Sequence, residues 1–407
     1  MRRIFTLFTM FVLCALVYLS LTVKGSHAVG NLQDEGSPAR LGKYLSKGRS
    51  AIPGQYIVVF KEWATGPVGK FSQSKQMADV LTSAFGGEVL RVYQHALNGY
   101  AVKLSKEEAL ALSQDTRVAY VEEDGIMHAN TTQSGATWGL DRIDQRDRPL
   151  NGTYTYNFTG SGVRAYVIDT GIRTTHTQFG GRASAVFDAF GGSGQDCNGH
   201  GTHVAGTIGG STYGVAKGAM LRAVRVLDCS GSGSTSGVIA GVDWVTSNHI
   251  SPSVANMSLG GGASTALDNA VQNSINSGVT YSIAAGNENA DACGSSPARV
   301  GAAITVGSTT STDARSSFSN FGICVDIFAP GSSITSSWAS SDTATNTISG
   351  TSMATPHVTG VTALYLQAHP GSSPATIRDA LVNGSTTNRL TGIGSGSPNR
   401  LLYSLLP

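Results

Sequence analysis

The hydrophobic positions between residues 54 and 130 follow the pattern of a small mixed unit of strands and helices. They predict strands over 55–60 and 118–122, helices over 72–85 and 106–114, and a strand pair over 89–104 that turns at Asn98 and Gly99. The resulting order, β-α-β-β-α-β, is that of a ferredoxin-like α+β module. We therefore predict a first folded unit over 54–130.

From Trp138 onward, short β-branched runs end in glycine-rich turns and alternate with helical stretches. The pattern predicts strands over 163–168, 221–227, 254–259 and 279–284, and helices over 234–247, 265–277 and 352–368. Such alternation is typical of an α/β fold, a doubly wound and mainly parallel sheet with helices on both faces. Functional groups in these sheets gather beyond the carboxyl ends of strands, so the residues there are the candidates.

The first residues of the chain indicate export. Arg2 and Arg3 precede an apolar run over 4–23 and small residues up to Ala28, which predicts a signal peptide over 1–28. An apolar run of this length could instead anchor the chain in a membrane. Residues 29–53 are polar and contain glycine and serine, which predicts a flexible linker. We expect a secreted protein whose second unit, over 131–407, makes no membrane contact.

The charges argue against a nucleic-acid partner. Residues 29–130 carry eleven basic and eleven acidic groups, residues 131–407 carry fourteen and fifteen, and Lys217 is the only lysine after residue 130. No basic cluster is present that could follow a phosphate backbone.

Cysteine usage fits an oxidising compartment. Cys14 lies in the predicted signal, which leaves Cys197, Cys229, Cys293 and Cys324 as an even set. An even set in an exported domain favours disulfides, although four buried thiols also fit, and the sequence alone leaves the pairing open.

Asp169 and His200 lie at the ends of predicted elements and are candidates for acid–base catalysis. Asp169 ends an apolar strand within 167–171 (VIDTG), where a carboxylate can be buried and can orient an imidazole, although an Asp there can also simply form a turn. His200 opens a helix of small residues within 198–206 (NGHGTHVAG). His200 and His203 could share a metal at their spacing, but no Glu follows His200 and no third ligand is near.

Ser352 lies in 350–356 (GTSMATP), at the start of an apolar helix. A helix N-terminus offers free backbone N–H groups to a developing oxyanion, although a serine there can also be an ordinary N-cap. A serine hydroxyl needs a base to remove its proton and a carboxylate to orient that base. Asp169, His200 and Ser352 supply these parts, and the chain order Asp, His, Ser differs from that of α/β-hydrolases.

These motifs resemble those of the subtilisin superfamily, and within it the proteinase K and aqualysin group. The resemblance rests on residues 167–171, 200–203 and 350–356 and covers nearly everything after Trp138. It implies a subtilisin-like serine endopeptidase of broad specificity that prefers apolar or aromatic residues before the scissile bond. Residues 54–130 are similar to the inhibitory pro-segment of the family, which implies a precursor that is cut near Thr131.

The resemblance also implies roles for residues outside the three motifs. Asn287 would donate its side-chain amide to the oxyanion beside the backbone N–H of Ser352. Two glycine-rich segments that follow strands expose backbone with which an extended substrate could pair, and the resemblance places both beside the cleft, with Leu259 and Ala284 lining the primary pocket. Glu288 directly follows Asn287, and we expect it to extend acceptance to basic residues at the pocket rim. The substrate-binding residues expected on this basis are Gly231, Ser232, Gly233, Ser258, Leu259, Gly260, Ala284 and Glu288.

Calcium is the expected cofactor, in a structural role. Asp141, Asp144 and Gln145 are spaced to put three oxygen donors on one helical face, the kind of ligand that hard cations prefer, although a polar helix surface would show the same spacing. The resemblance implies a second site, formed by Asp326 with the carbonyls of Gly301 and Ala303. It also implies disulfides between Cys197 and Cys229 and between Cys293 and Cys324.

Two other classes of function stay open at this point, a catalytically inactive secreted binding protein and an esterase for small acyl groups. An inactive relative would usually lack one member of the triad, and the G-x-S-x-G elbow of esterases is absent around Ser352. The expected partners are polypeptide substrates and the chain's own pro-segment as an intramolecular inhibitor. The mature enzyme is expected to be a monomer.

Overall fold

The structure, a computed structural model, describes residues 40–41, 43–47, 51–68, 72–125 and 131–406. The predicted signal peptide lies outside these ranges. The chain divides into two compact units, Met1–Ile126 and Met127–Pro407.

The first unit is a six-stranded sheet with helices, in the strand order β1-β2-β6-β3-β5-β4. Its helix α3 begins with a capping box, in which the Ser105 hydroxyl accepts from the Glu108 N–H while Glu108 accepts from the Ser105 N–H. The hydrophobic faces of α2 and α3 pack on the sheet, which confirms the predicted ferredoxin-like module. The elements are β1 (Arg40–Leu41), β2 (Tyr44–Leu45), β3 (Ala51–Phe60), α1 (Glu62–Thr65), α2 (Ser74–Phe85), β4 (Glu88–Tyr93), β5 (Gly99–Lys103), α3 (Lys106–Ser113) and β6 (Val118–Gly125).

The predicted linker over 29–53 is not irregular where the structure describes it. Strand β2 pairs with β6, Tyr44 is 2% exposed, and its hydroxyl donates to Glu123 at 2.7 Å. Strand β3 begins at Ala51 rather than at residue 55. The prediction of a flexible connection is therefore wrong over these residues, because a two-residue strand is too short to show a period.

The second unit is built on a nine-stranded sheet in the order β10-β11-β9-β12-β14-β16-β17-β21-β20. The pairs from β10 to β21 are parallel, and only the edge pair of β20 with β21 is antiparallel. The strands are β7 (Thr131–Ser134), β8 (Thr153–Tyr156), β9 (Arg164–Asp169), β10 (Ala183–Asp188), β11 (Met220–Arg225), β12 (Ser253–Met257), β13 (Gly261–Gly262), β14 (Thr280–Ala284), β15 (Ser295–Ser296), β16 (Ile304–Thr309), β17 (Ile327–Pro330), β18 (Ile334–Ser337), β19 (Thr345–Ile348), β20 (Thr386–Thr387) and β21 (Arg400–Leu401). The helices are α4 (Trp138–Ile143), α5 (His200–Gly209), α6 (Thr235–Asn248), α7 (Thr265–Asn276), α8 (Thr351–Ala368) and α9 (Pro374–Asn383).

Helices cover both faces of this sheet, as predicted. Val167 and Ile168 are consecutive on β9, yet they belong to different hydrophobic clusters because neighbouring side chains of a strand point to opposite faces. One cluster contains apolar residues of α5, α8 and α9, and the other contains those of α6 and α7. Burial on both faces explains why the central strands show apolar runs rather than a strict alternation of apolar and polar residues.

Two disulfides staple loops of the second unit, Cys197 to Cys229 and Cys293 to Cys324. This is the pairing that the family resemblance implied. Within the described ranges, no helix has both the length and the apolar composition that a membrane crossing requires.

Candidate active site

The structure brings Asp169 and His200 into direct contact. Asp169 is the last residue of β9 and is fully buried, and its Oδ1 also accepts the Thr170 N–H at 2.7 Å. His200 is the first residue of α5, and its Nδ1 lies 2.8 Å from Oδ1 and 3.0 Å from Oδ2 of Asp169. A carboxylate at this position accepts the Nδ1 proton, which leaves Nε2 free to act as a base.

Burial and the neighbouring carboxylates act in opposite directions on the pKa of His200. Burial alone would lower the pKa of His200, but the charge and hydrogen bond of Asp169 raise it, with a further contribution from Asp196. The net result is a pKa above the usual histidine value. The imidazole side chain retains 24% exposure, so the ring is reachable from the groove.

Gly199 allows α5 to begin where it does. Its φ of +112° lies in the left-handed region, and a Cβ at this position would lie 2.4 Å from the Trp338 ring. Any larger residue would displace the start of the helix, and with it the imidazole of His200.

Ser352 is held at the start of α8 by a reciprocal pair of hydrogen bonds. Its Oγ donates to the Ser258 carbonyl at 3.1 Å, and the Ser258 hydroxyl donates to the Ser352 carbonyl at 2.8 Å. Ser258 directly follows β12, which is the neighbour of β9. Ser258 and His200 line one groove, and Ser352 lines the adjoining cavity.

Asn287 is oriented by Thr351, the residue before Ser352. Its Oδ1 accepts from the Thr351 N–H at 2.8 Å and from the Thr351 hydroxyl at 3.0 Å. The amide oxygen is thereby occupied, which leaves Nδ2 as the donor beside Ser352 in a shared pocket. Gly286, which directly precedes Asn287, has a φ of +104°, and a Cβ there would lie 2.3 Å from the Asn320 amide nitrogen. Glycine is therefore required at the turn that carries Asn287.

The substrate segments line two adjoining cavities that share residues 259–262. The first, of about 510 Å³, is bounded by Gly231, Ser232 and Gly233 on one side and by Ser258, Leu259 and Gly260 on the other. The second, of about 450 Å³, is lined by Leu259, Gly260, Ala284, Asn287, Glu288 and Ser352. The arrangement provides an extended groove and a pocket beside Ser352.

Glu288 lies in the second cavity, and its carboxylate is tethered. Its Oε2 accepts from the Asn320 amide at 2.8 Å, and its backbone N–H donates to Asn320 Oδ1 at 3.0 Å. Asn320 is 1% exposed, so it is a fixed partner that holds the carboxylate at the pocket.

The first predicted calcium group is partly assembled. Helix α4 ends at Ile143, Asp144 is its C-cap and Gln145 lies beyond it, so the prediction that the three donors share one helical face is wrong. Asp144 is 8% exposed, and its Oδ1 has no hydrogen-bond partner in the described part of the chain. Burial, with the charge of Asp141 added, raises the pKa of Asp144 to about 6 although the Thr155 N–H lowers it. An unpartnered buried carboxylate oxygen near a second carboxylate fits a hard cation.

The second predicted calcium group does not fit the ion. The Arg378 guanidinium donates to Asp326 Oδ1 and to the Ala303 carbonyl, the latter at 3.3 Å. The other Asp326 oxygen accepts from the Thr305 N–H at 2.8 Å, and Gly301 lies in an exposed turn before β16. An arginine cation therefore uses two of the three donors expected for calcium, and we carry that expectation no further.

His203 has a structural environment. Its Nε2 lies 2.9 Å from the Ile334 carbonyl, and burial lowers its pKa to about 4, so the ring is neutral. The described residues contain no group of three or more His, Cys, Asp or Glu side chains that could hold a metal ion.

The sequence analysis missed Asp196, which lies beside the Asp169–His200 pair. Its carboxylate is 9% exposed and accepts hydrogen bonds from Thr170 and from the first turn of α5. The signal available in the sequence was an Asp two residues before Asn198, the spacing of an Asx-turn.

Comparison with known proteins identifies the family. Residues 160–400 match the subtilase family, and residues 55–130 match peptidase inhibitor I9. Because the first match spans more than half of the chain, the chain belongs to the subtilase family.

Similar proteins agree with this assignment. An extracellular serine proteinase of Thermus sp. (strain Rt41A) is 60% identical over 369 residues, which are 87% of this chain and 90% of that protein. Alkaline serine exoprotease A of Vibrio alginolyticus is 54% identical over 366 residues, 87% of this chain and 68% of that protein. A solved structure of a cold adapted subtilisin-like serine proteinase has 60% identity and a TM-score of 0.66, and covers 67% of this chain and 100% of that chain. The protein is a secreted subtilisin-like serine proteinase with an I9 pro-segment.

Asn287→Leu should leave the fold and KM close to wild type and lower kcat by about 10²–10³-fold, the loss measured when one oxyanion donor is removed from subtilisin. Leucine has a similar size but cannot donate. Steady-state kinetics on a peptide anilide measures the effect. Thr351→Ser is the matched control, because it keeps the hydroxyl that orients Asn287 and should stay near wild type. An unchanged kcat in Asn287→Leu removes Asn287 from the mechanism.

Proposed function

We propose that this enzyme is a broad-specificity endopeptidase in which Asp169, His200 and Ser352 form the catalytic triad. The observation that carries the proposal is the Asp169–His200 hydrogen bond, whose imidazole lines a groove together with Ser258, the residue that is hydrogen-bonded to Ser352. These contacts supply an oriented base and a nucleophile at a helix N-terminus.

In the proposed reaction, His200 Nε2 takes the proton of Ser352 Oγ while Oγ attacks the substrate carbonyl carbon. The tetrahedral oxyanion accepts hydrogen bonds from Asn287 Nδ2 and from the Ser352 backbone N–H. His200 then gives its proton to the departing amine, and an acyl-enzyme is formed. Water activated by the same imidazole hydrolyses this ester and restores the free hydroxyl.

The two cavities support the proposed substrate class. Glycines at 231, 233 and 260 leave the backbone open on both sides of the groove, so an extended peptide can pair as an added strand with little selection of sequence. Leu259 and Ala284 give the second cavity an apolar wall for the residue before the scissile bond. Glu288 adds a negative charge for basic side chains.

The I9 unit implies an intramolecular inhibitor, and we propose that the chain removes it by self-cleavage near Thr131 and then acts as a monomer. We further propose that calcium binds at Asp144, with Asp141 and Gln145 as additional donors, and stabilises the second unit. The unpartnered Oδ1 of Asp144 supports this site.

Ser352→Ala should leave the precursor at full length and should not react with a serine-directed fluorophosphonate. Wild type should mature and bind one probe per chain, because the hydroxyl is the atom that attacks. Electrophoresis and mass spectrometry of protease-free preparations give both results. Maturation of the Ser352→Ala chain would disprove self-cleavage, and loss of probe binding together with retained casein hydrolysis would disprove the nucleophile.

Casein and a simple ester compared on wild type separate a peptidase from an esterase.

Glu288→Ala should reduce kcat/KM for a peptide with Lys before the scissile bond relative to one with Phe, by about 2- to 5-fold. An ion pair at a solvent-accessible rim contributes about 0.5–1 kcal/mol, which corresponds to this range. Glu288→Gln is the matched control, because it removes the charge at nearly constant size and should give the same ratio. An unchanged Lys-to-Phe ratio in both variants contradicts the role of the charge.

Calcium should lengthen the thermal half-life of the mature enzyme above pH 7, and the effect should fade as the pH falls through about 6, the pKa of Asp144. The folded-state pKa lies above the ordinary value of 3.8, so without calcium the ionised carboxylate destabilises the fold at high pH and its protonation relieves this. Protons and calcium therefore compete for one oxygen. Inactivation rates with calcium and with a chelator test this, and a full calcium effect in Asp144→Asn would contradict the site.

A further inference from the structure

Asp196 is a buried carboxylate that accepts five hydrogen bonds beside the catalytic pair. Its Oδ1 accepts from the Thr170 hydroxyl, the Asn198 N–H and the Gly199 N–H, each at 2.9 Å. Its Oδ2 accepts from the Thr202 N–H at 2.9 Å and from the Thr202 hydroxyl at 2.6 Å. Every donor is neutral, so none of the five partners of the carboxylate is a cation.

The Asp196 carboxylate caps the first turn of α5, because the N-cap residue of this helix has no side chain that could do so. The N-cap residue is Gly199, which has no side chain, so the first N–H groups need acceptors from elsewhere. Asn198 Oδ1 accepts from the His200 N–H at 3.2 Å and the Thr170 hydroxyl accepts from the Gly201 N–H at 2.9 Å. The Thr202 N–H is left for Asp196.

The same carboxylate also reaches the strand that carries Asp169. Thr170 follows Asp169 directly, and its hydroxyl donates to Asp196 while it accepts from Gly201. Asp196 is therefore bonded both to the end of β9 and to the first turn of α5. These two segments hold the two partners of the Asp169–His200 hydrogen bond.

We propose that Asp196 is a positioning residue for the Asp169–His200 pair, and that its charge also stabilises the protonated imidazole formed during proton transfer. This inference rests on the proposed triad. The electrostatic effect of Asp196 supports the proposal, because the Asp196 carboxylate contributes to raising the pKa of His200.

The other ionisable groups around His200 do not duplicate this effect. Asp169 is the partner on β9, and His203 on α5 is neutral because burial lowers its pKa to about 4. Arg173, whose N–H donates to the Thr202 hydroxyl, has its guanidinium paired with Asp342 at 2.6 Å. Removal of the Asp196 charge should therefore be seen directly in the titration of His200.

Asp196→Asn tests the proposal on the matured enzyme, with each preparation normalised by fluorophosphonate titration. We expect kcat to fall by about 10- to 100-fold with little change in KM, because displaced reacting groups can cost up to about 10²-fold. We also expect the acid limb of the kcat/KM pH profile to move down by about half a pH unit, because a negative charge near His200 is lost. Asp196→Glu keeps the charge and should keep the acid limb while kcat falls. Asp268→Asn, which breaks the ion pair between Asp268 on α7 and Arg299, is the control for a merely structural loss. It should leave kcat and the acid limb unchanged.

Thr170→Val provides a second route if Asp196→Asn does not fold. It removes the hydroxyl that bridges Asp196 to β9 at nearly constant volume and should lower kcat several-fold, and Thr170→Ser should restore it. Wild-type kcat and pH profiles in Asp196→Asn and Thr170→Val, with only lower thermal stability, would overturn the proposal. Failure of the triad itself would be seen separately, as activity that survives in Ser352→Ala.

Discussion

The hydrogen bond between Asp169 and His200 is the interaction on which the rest of this site depends. It joins a fully buried carboxylate to an imidazole that is still reachable from the groove. A buried charge without a partner would cost several kcal/mol, so the carboxylate holds the ring firmly. The glycine at 199 and the cap on α5 are required because the ring must lie at the first turn of its helix.

The order of the strands explains how residues far apart in the chain meet. Strands β9, β12 and β14 are consecutive neighbours in the parallel sheet, and their carboxyl ends lie at one edge. Asp169 ends the first, Ser258 follows the second and Asn287 comes shortly after the third. Helix α8 packs on the same face of the sheet as α5, and its first turn brings Ser352 to this edge. The arrangement of the proposed catalytic residues is thus a consequence of the sheet topology and of the starts of α5 and α8.

Much of the fold and of the candidate site could be predicted from the sequence, because the patterns that predict them are local. The apolar strands end in polar residues and the motifs around Asp169, His200 and Ser352 are contiguous, so both the sheet and the candidate triad were predicted. The half-buried edge strand β10 and the two-residue strand β2 were not predicted, since neither shows a clear period, and the buried strands β16 and β17 were not predicted either. Interactions between distant residues were also inaccessible. The pairing of Arg378 with Asp326 spans 52 positions, and no local pattern reveals it.

Asp169→Asn tests the central claim most directly, through kcat and its pH dependence on enzyme normalised by active-site titration. Our account predicts a fall in kcat of about 10⁴-fold near neutral pH, because an amide stabilises the wrong imidazole tautomer and no imidazolium. The remaining activity should depend on pH with a lower apparent pKa than wild type, since the charge that raises the pKa of His200 is gone. A variant with wild-type kcat and an unchanged pH profile would contradict the account.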